Sequence, residues 1–487
     1  MQSNSCDIWI TNASVVIPEI GIVQTDILIE NGKIRELKKA VGKIQSSIKI
    51  DAHGKYVLPG IIDPHVHYGV FTPINQAAQT ESRSAAIGGV TTMIRMLRLN
   101  KTYFNVERHL QASRGNHHID YSIHASILTD DQIREISLLR SMGINSLKVY
   151  MNLGADLRRI FMDLDPYTDC LMEGRVAMTH GIISSIVENA ANSHSTVLVH
   201  AENPTICSDR SRKIKHTESK GSAVANKPLR IWSECRPPLS ESKSIHKITK
   251  LANRFGTKLY FVHIGSSDAI DTIMAERKSG NASCFYIETC PHYLTHTTEF
   301  NDIRGKVVPP LRSKDDVQST WLALQRGSIN TIGSDHVASK LEVKRADGSI
   351  WSALSGFPGV ATMLPVLLSK GVNENRISIE RVSEVTSYNT SQIFGMYPRK
   401  GTIRQGADAD LTIVDLNLEK KVTPEVLQSY SDYTIYDGWK LKGWPVLTMV
   451  RGQIVMQDGE VDTNTLGHGE FIARPVIANI NPNSNQR

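Results

Sequence analysis

The sequence predicts an α/β protein: a closed (β/α)8 barrel of TIM type carrying a small β-sandwich built from both chain ends. Three observations predict it. Eight apolar, strand-like runs follow one another through the middle of the chain, most of them separated by stretches of helical pattern. Strand-rich blocks lie before and after them, and neither block holds enough strands for a stable sheet of its own. The first run ends in His65-Val66-His67, where an open doubly wound sheet would carry a glycine-rich phosphate loop.

In order, residues 1–58 open with Asp7–Ala13 and Thr25–Glu30, which partly alternate apolar and polar. Asn31-Gly32 is the dipeptide of a tight hairpin turn and leads into Lys33–Leu37. The barrel runs are Tyr56–His67, Val90–Leu97, Asp120–Leu128, Ser146–Asn152, Thr196–Glu202, Lys258–Ser267, Ser283–Cys290 and Ile329–Asp335. Helical pattern fills intervals such as Asp130–Ser141 and Glu241–Phe255. Past Gly401, strands are expected at Asp410–Asp415, Val446–Val450 and Gln453–Met456, with Arg451-Gly452 as the last turn. The expected units are a discontinuous sandwich of residues 1–58 and 396–460, a barrel of 59–395 and a tail of 461–487.

Composition narrows the function classes. With 487 residues, a large core is possible, and 40% apolar with 21% charged residues is ordinary for a globular protein. A net charge of +6 is small for this length, and no basic run is dense enough to argue for nucleic acid. No apolar stretch reaches the length of a membrane span, and Met1–Asp7 lacks a signal-peptide pattern. The six cysteines include no Cys-x-x-Cys, which fits free thiols in a reducing cytoplasm.

Two residues apart on a strand, His65 and His67 point to one face, and neutral imidazole is a good ligand for zinc and similar metals. Alone, the pair is a weak signal. Four more potential ligands follow at or near the ends of strand-like runs: Lys148, His200, His263 and Asp335. Each has a plainer reading. A strand-end histidine is more often a satisfied polar residue, a lone strand lysine usually reaches for solvent, and Asp335 could cap the next helix. Six such coincidences in one chain outweigh the plain readings taken together. Barrel active sites lie at the C-terminal strand ends, so residues far apart in sequence can converge there.

The order His-x-His, Lys, His, His, Asp resembles the amidohydrolase superfamily, and within it the binuclear cyclic amidases: hydantoinases, dihydropyrimidinases, allantoinases and dihydroorotases. Gly88–Met93, Glu288–Tyr293, Pro309–Arg312 and Gly406–Asp415 carry the same likeness, which spans about Asp7 to Glu460. The resemblance implies two divalent metals, with zinc the first choice and manganese, iron or cobalt left open. It implies His65, His67 and Asp335 on one ion, His200 and His263 on the other, and a CO2-derived carbamate on Lys148 bridging them. The implied reaction is opening of a cyclic amide, imide or ureide by attack of metal-bound hydroxide, with Asp335 as base and then acid. It further implies a homodimer or homotetramer, with the tail along a neighbouring subunit. Two rivals are a non-catalytic relative with a structural or signalling role and a metal-dependent hydrolase of non-cyclic amides. Intact ligand positions argue against the first, and Lys148 argues against the single-metal deaminases.

The chain also departs from the pattern. Hydantoinases and dihydropyrimidinases usually carry a tyrosine five residues after the bridging lysine; here that position is Leu153, and Tyr150 would share the lysine's face instead. After the second strand run, Arg98 is a candidate anion clamp and Asn100 a candidate substrate contact, with a solvent-facing loop as the plain alternative for Arg95 and Arg98. Thr289 matches a position where the family holds the ring through backbone groups. Gly356 and Phe357 belong to a run resembling the loop that closes over the ring. Without the phenol, a hydantoin-, imide- or allantoin-like ring is expected to be a better substrate than plain dihydrouracil.

Overall fold

The computed structural model describes residues 5–39, 44–218, 227–279, 284–345 and 348–474. Its strands, in chain order, are β1 (Ser5–Ile17), β2 (Gly21–Glu30), β3 (Lys33–Lys38), β4 (Gln45–Asp51), β5 (Tyr56–Pro59), β6 (Ile61–His67), β7 (Val90–Leu97), β8 (Asp120–Ser126), β9 (Ser146–Tyr150), β10 (Arg159–Phe161), β11 (Glu173–Arg175), β12 (Thr196–His200), β13 (Lys258–Phe261), β14 (Phe285–Thr289), β15 (Thr331–Ile332), β16 (His336–Val337), β17 (Leu411–Lys421), β18 (Lys440–Val450), β19 (Gln453–Gln457) and β20 (Glu460–Val461).

Parallel pairing runs β6, β7, β8, β9, β12, β13, β14, β15, and β16 returns to β6. β15 and β16 are the two halves of an interrupted eighth strand, so the barrel closes. Strands such as β6, β7 and β8 are buried at every residue, as parallel strands covered on both faces must be. Ile62, Ile94, Met96, Leu198, Tyr260 and Val262 pack together with Phe394. Alternate positions such as Met93, Leu147, Val149 and Val197 join helix residues in the largest core cluster. The outer helices carry their own end signals. Ser266 accepts the N–H of Ala269 at the start of Ser267–Lys278, Ser313 and Asp316 cap Lys314–Gln325 reciprocally, and Gly256 at φ +74° ends Pro238–Phe255.

The chain ends combine in one sheet, ordered β20-β19-β18-β17-β5-β1-β2-β3 with β4 also on β1. It buries a core that mixes Ile8, Ile10 and Ile27 with Leu411, Ile413 and Met449. Both predicted hairpin turns form. Asn31 and Gly32 have φ +50° and +72°, and Arg451 and Gly452 have +45° and +77°, the two positive values that a tight primed turn requires.

Two expectations need correction. Tyr56–His67 is not one barrel strand: β5 pairs with β1 and β17, and the barrel begins only at β6. The break is Gly60, whose N–H donates to the Asp410 carbonyl at 2.8 Å. A Cβ there would lie 2.2 Å from Oγ1 of Thr91, so the chain can change sheets only at a glycine. Asp130–Ser141 is two short helices, Asp130–Arg134 and Ile136–Ser141, parted at Glu135, whose carboxylate accepts the Tyr103 N–H at 2.5 Å. The tail is described to Arg474, and that part packs on this chain's own barrel. Tyr121 donates to the Glu470 carbonyl at 2.9 Å, Ile472 donates to Tyr121 at 2.7 Å, and Arg474 is fully buried against Ser122. Residues 475–487, with the asparagine-rich end, lie outside the described residues. Among the described residues, no helix is long and apolar enough to cross a membrane. None of the six cysteines forms a disulfide among the described residues.

Candidate active site

Five barrel strands deliver the six singled-out residues to one place. β6 contributes His65 and His67, β9 Lys148 and β12 His200. His263 lies two residues beyond β13, and Asp335 sits in the gap between β15 and β16. Two of the six leave ordinary backbone geometry: His263 has φ +44° and Asp335 φ +49°. Both turn their side chains inward from the left-handed region, a sparsely populated state for a residue with a Cβ.

Nε2 of His65 and Nε2 of His67 stand 3.2 and 3.3 Å from the same Oδ1 of Asp335. Among the described residues, Nε2 of His65 is buried without a hydrogen-bond partner, as are Nδ1 of His263 and Nζ of Lys148. The His65 ring lies 5.4 Å from that of His263, which lies 4.5 Å from that of His200. Burial pushes His65 down to about 3 and His67 and His263 well below the usual histidine range. The contact between His65 and Asp335 is therefore not an ion pair: the imidazoles are neutral, and their lone pairs are available. Burial likewise pulls the Lys148 amine down to about 7, against the upward pull of Glu288 and Asp335. Neutral imidazoles, a carboxylate and an amine that is free base near neutral pH fit divalent cations and a lysine carbamate. His65, His67 and Asp335 alone offer three ligand atoms close enough for one ion.

A second layer orients these groups. Glu288, at the end of β14, accepts from Nδ1 of His65 at 2.7 Å, from the His263 N–H at 2.9 Å and from the Tyr260 hydroxyl at 2.9 Å. Gly333 makes room for it, since a Cβ there would lie 2.8 Å from the Glu288 carboxylate. Glu202 takes Nε2 of His200 at 2.6 Å and is itself held by Arg236 at 2.8 Å. Asp63 accepts the N–H groups of His65 and Ser334, each at 3.1 Å, tying β6 to the broken eighth strand. His336, beside Asp335, stands 2.9 Å from Glu81 through Nε2 and accepts the Gly359 N–H at Nδ1.

The six residues open into a cavity of about 350 Å3. Its walls include Phe71, Phe161, Trp232, Trp351, Tyr150 and Leu153. Of the predicted substrate contacts, Arg98 and Gly356 line it. Three do not. Asn100 is exposed beyond the strand end. Thr289 is buried with its hydroxyl on the Ile264 carbonyl, and the Phe357 ring packs on His292. Arg95 also faces away, lying over the Tyr68 ring with Asp163 at 3.7 Å. Glu288, Glu202 and Arg236 escaped sequence reasoning as site residues. The first two carried the same signal as Asp335, an acid at the end of a strand-like run.

A second acidic group, Asp120, Asp408 and Asp410, could by geometry also hold an ion. Lys400 already fills it, with Nζ 2.6 Å from Asp120 and 3.3 Å from Asp408 and also in contact with Asp410.

Fold and site together define a barrel enzyme with converging imidazoles and a carboxylate at its strand ends. The sequence model of the amidohydrolase family matches residues 56–455. L-hydantoinase of Paenarthrobacter aurescens is 31% identical over 96% of this chain and 98% of its own. D-hydantoinase of Ralstonia pickettii is 30% identical over 93% and 96%. The solved structure of L-hydantoinase (dihydropyrimidinase) from Arthrobacter aurescens superposes with a TM-score of 0.86 at 30% identity, covering 96% of this chain and all of that one. The chain belongs to the amidohydrolase family, in its cyclic amidase group.

Proposed function

We propose that this protein is a binuclear metal-dependent hydrolase that opens a hydantoin-, imide- or allantoin-like ring at its amide C–N bond. The observation that carries the reading is the convergence of His65, His67, Lys148, His200, His263 and Asp335 at the floor of one cavity, with buried nitrogens of His65, His67, Lys148 and His263 that have no hydrogen-bond partner among the described residues. His65, His67 and Asp335 would hold one ion, His200 and His263 the other, and Lys148 as its carbamate would bridge them. Such ions, zinc foremost, supply a Lewis acid and lower the pKa of water. Asp335 would take a proton at its carboxylate oxygen and return it to the leaving ring nitrogen. Glu288 and Glu202 hold the imidazoles in one tautomer and orientation. The aromatic walls would flank the ring and shield it from bulk water. Across the reaction one water is added: oxygen goes to the carbonyl carbon, the C–N bond breaks, and hydrogen goes to nitrogen. A hydantoin would give an N-carbamoyl amino acid.

Leu153 is buried in the cavity wall and offers no donor to the developing oxyanion. A missing donor of this kind typically costs about 100- to 1,000-fold in rate. That favours rings whose leaving nitrogen is shared with a second carbonyl over plain dihydrouracil. We place the enzyme in the cytoplasm as a homodimer or homotetramer, in keeping with its group.

The test is metal analysis of the purified protein together with a ring-opening screen over hydantoin, allantoin, succinimide, dihydroorotate and dihydrouracil, read by mass spectrometry of the products. Two metal equivalents and turnover of a hydantoin, imide or allantoin are expected. A metal-free protein inactive across the panel, after incubation with zinc and bicarbonate, would refute the proposal.

A further inference from the structure

Three arginines line the cavity, and they differ in what neutralises them. Arg236 is paired with Glu202 at 2.8 Å and Arg159 with Glu173 at 2.7 Å. Among the described residues, no carboxylate pairs with the guanidinium of Arg98, and its Nε is buried without a hydrogen-bond partner. Its position is nevertheless fixed. The Arg98 N–H donates to Oδ2 of Asp163 at 2.8 Å, and its carbonyl accepts the Asp163 N–H at 3.0 Å. One Asp163 oxygen is thereby taken by the Arg98 backbone and the other faces Arg95 at 3.7 Å, so its charge is shared between two guanidiniums and it makes no salt bridge with that of Arg98. The Arg98 charge is close enough to depress His67 and Lys148 further. A permanently charged, half-buried group beside a cation-binding floor is costly without an anion. A guanidinium presents a planar fork suited to a carboxylate.

We infer that Arg98 is the recognition group for a carboxylate borne by the substrate, so that the natural substrate is an anionic cyclic amide or ureide with an acidic substituent on the ring. The inference rests on the ring-opening reading and names its substrate class. A transient oxyanion would neutralise Arg98 only during the chemical step, whereas a substituent carboxylate does so in the bound ground state. The aromatic walls then enclose the ring and the short chain joining it to the acid.

The experiment uses the metal-loaded enzyme with hydantoin-5-acetic acid and its neutral amide, 5-(carbamoylmethyl)hydantoin. The acid is expected to be favoured about tenfold or more in kcat/KM, mainly through KM, the size of a charge-assisted hydrogen bond. Its KM should rise with added salt. In Arg98→Met the acid-to-amide ratio should fall to about one, and in Arg98→Lys it should lie between. Metal content and melting temperature confirm that each variant is folded. Equal turnover of both substrates by the wild type overturns the inference while leaving the ring-opening reading intact. So does an Arg98→Met variant that lowers kcat equally on both, which would make Arg98 an oxyanion donor. Failure to open either ring, in a protein that binds no metal, would instead strike at the underlying reading.

Discussion

Oε1 of Glu288 stands 2.7 Å from Nδ1 of His65 and accepts the backbone N–H of His263 at 2.9 Å. One carboxylate oxygen thus sets the tautomer of an imidazole on β6 and the position of a histidine beyond β13. The His65 contact is a hydrogen bond from a neutral ring, because burial lowers His65 to about 3. Replacing Glu288 with leucine leaves both donors buried and unpaired. The expected outcome is a loss of about 10- to 100-fold in metal affinity or activity. Metal titration followed by calorimetry checks it. Native affinity and rate in that variant would show that the contact is not used.

Lys148 should behave as a lysine that is free base near neutral pH. Only the free amine adds CO2, and burial lowers its pKa to about 7. Carbamate formation on the metal-free protein, followed by NMR with labelled bicarbonate, is therefore expected to rise with pH through about 7, far below the value of about 10.4 for an exposed lysine. Lys148→Ala should lose activity and at least one metal, and a short carboxylic acid added to it should restore part of both. Uptake that begins only above about pH 9 would contradict the buried assignment.

Lys344 anchors the cavity loop without touching the cavity. Its fully buried Nζ bonds to the carbonyls of Lys306 at 2.7 Å, Leu354 at 2.7 Å and Gly356 at 2.6 Å. Trp351 and the residues up to Gly356 form part of the cavity wall. Lys344→Met strands three buried acceptors, each costing about 1–3 kcal/mol if left unpaired. A melting temperature several degrees lower and a KM raised more than kcat is lowered are expected. Wild-type KM with a stable fold would show that the loop holds itself.

Acid should loosen the joint between barrel and end sheet. Lys400 and Arg451 hold Asp120 below its usual range, and Lys400, Lys33 and Arg399 do the same for Asp408. A depressed carboxylate stabilises above its unfolded pKa and loses that contribution as pH falls through the folded value. Asp410, raised by burial, works in the opposite sense. The net expectation is stability that falls below about pH 4. Lys400→Met should destabilise by about 3–5 kcal/mol at neutral pH, since it leaves buried carboxylates uncompensated. Denaturant unfolding from acid to neutral pH measures both, and a variant as stable as wild type would refute the role.

The sequence by itself determined the barrel with its two-ended sheet, the hairpin turns at Asn31-Gly32 and Arg451-Gly452, and the six residues of the floor. Those features are local: apolar runs, turn dipeptides and ligand-type side chains at strand ends announce themselves in short windows. Tertiary structure decided the rest. That Tyr56–Pro59 leaves the barrel depends on β17, some 350 residues away in sequence, offering it an edge. Glu288 and Glu202 looked like ordinary strand-end acids until His65 and His200 were placed against them. Arg95 and Arg98 read alike in the chain. Three residues apart around a strand end, they face opposite ways: Arg95 lies against Tyr68, and Arg98 enters the cavity with, among the described residues, no carboxylate paired to its guanidinium. Pairwise distance between residues remote in sequence decides which charges are satisfied, and only the closed barrel sets those distances.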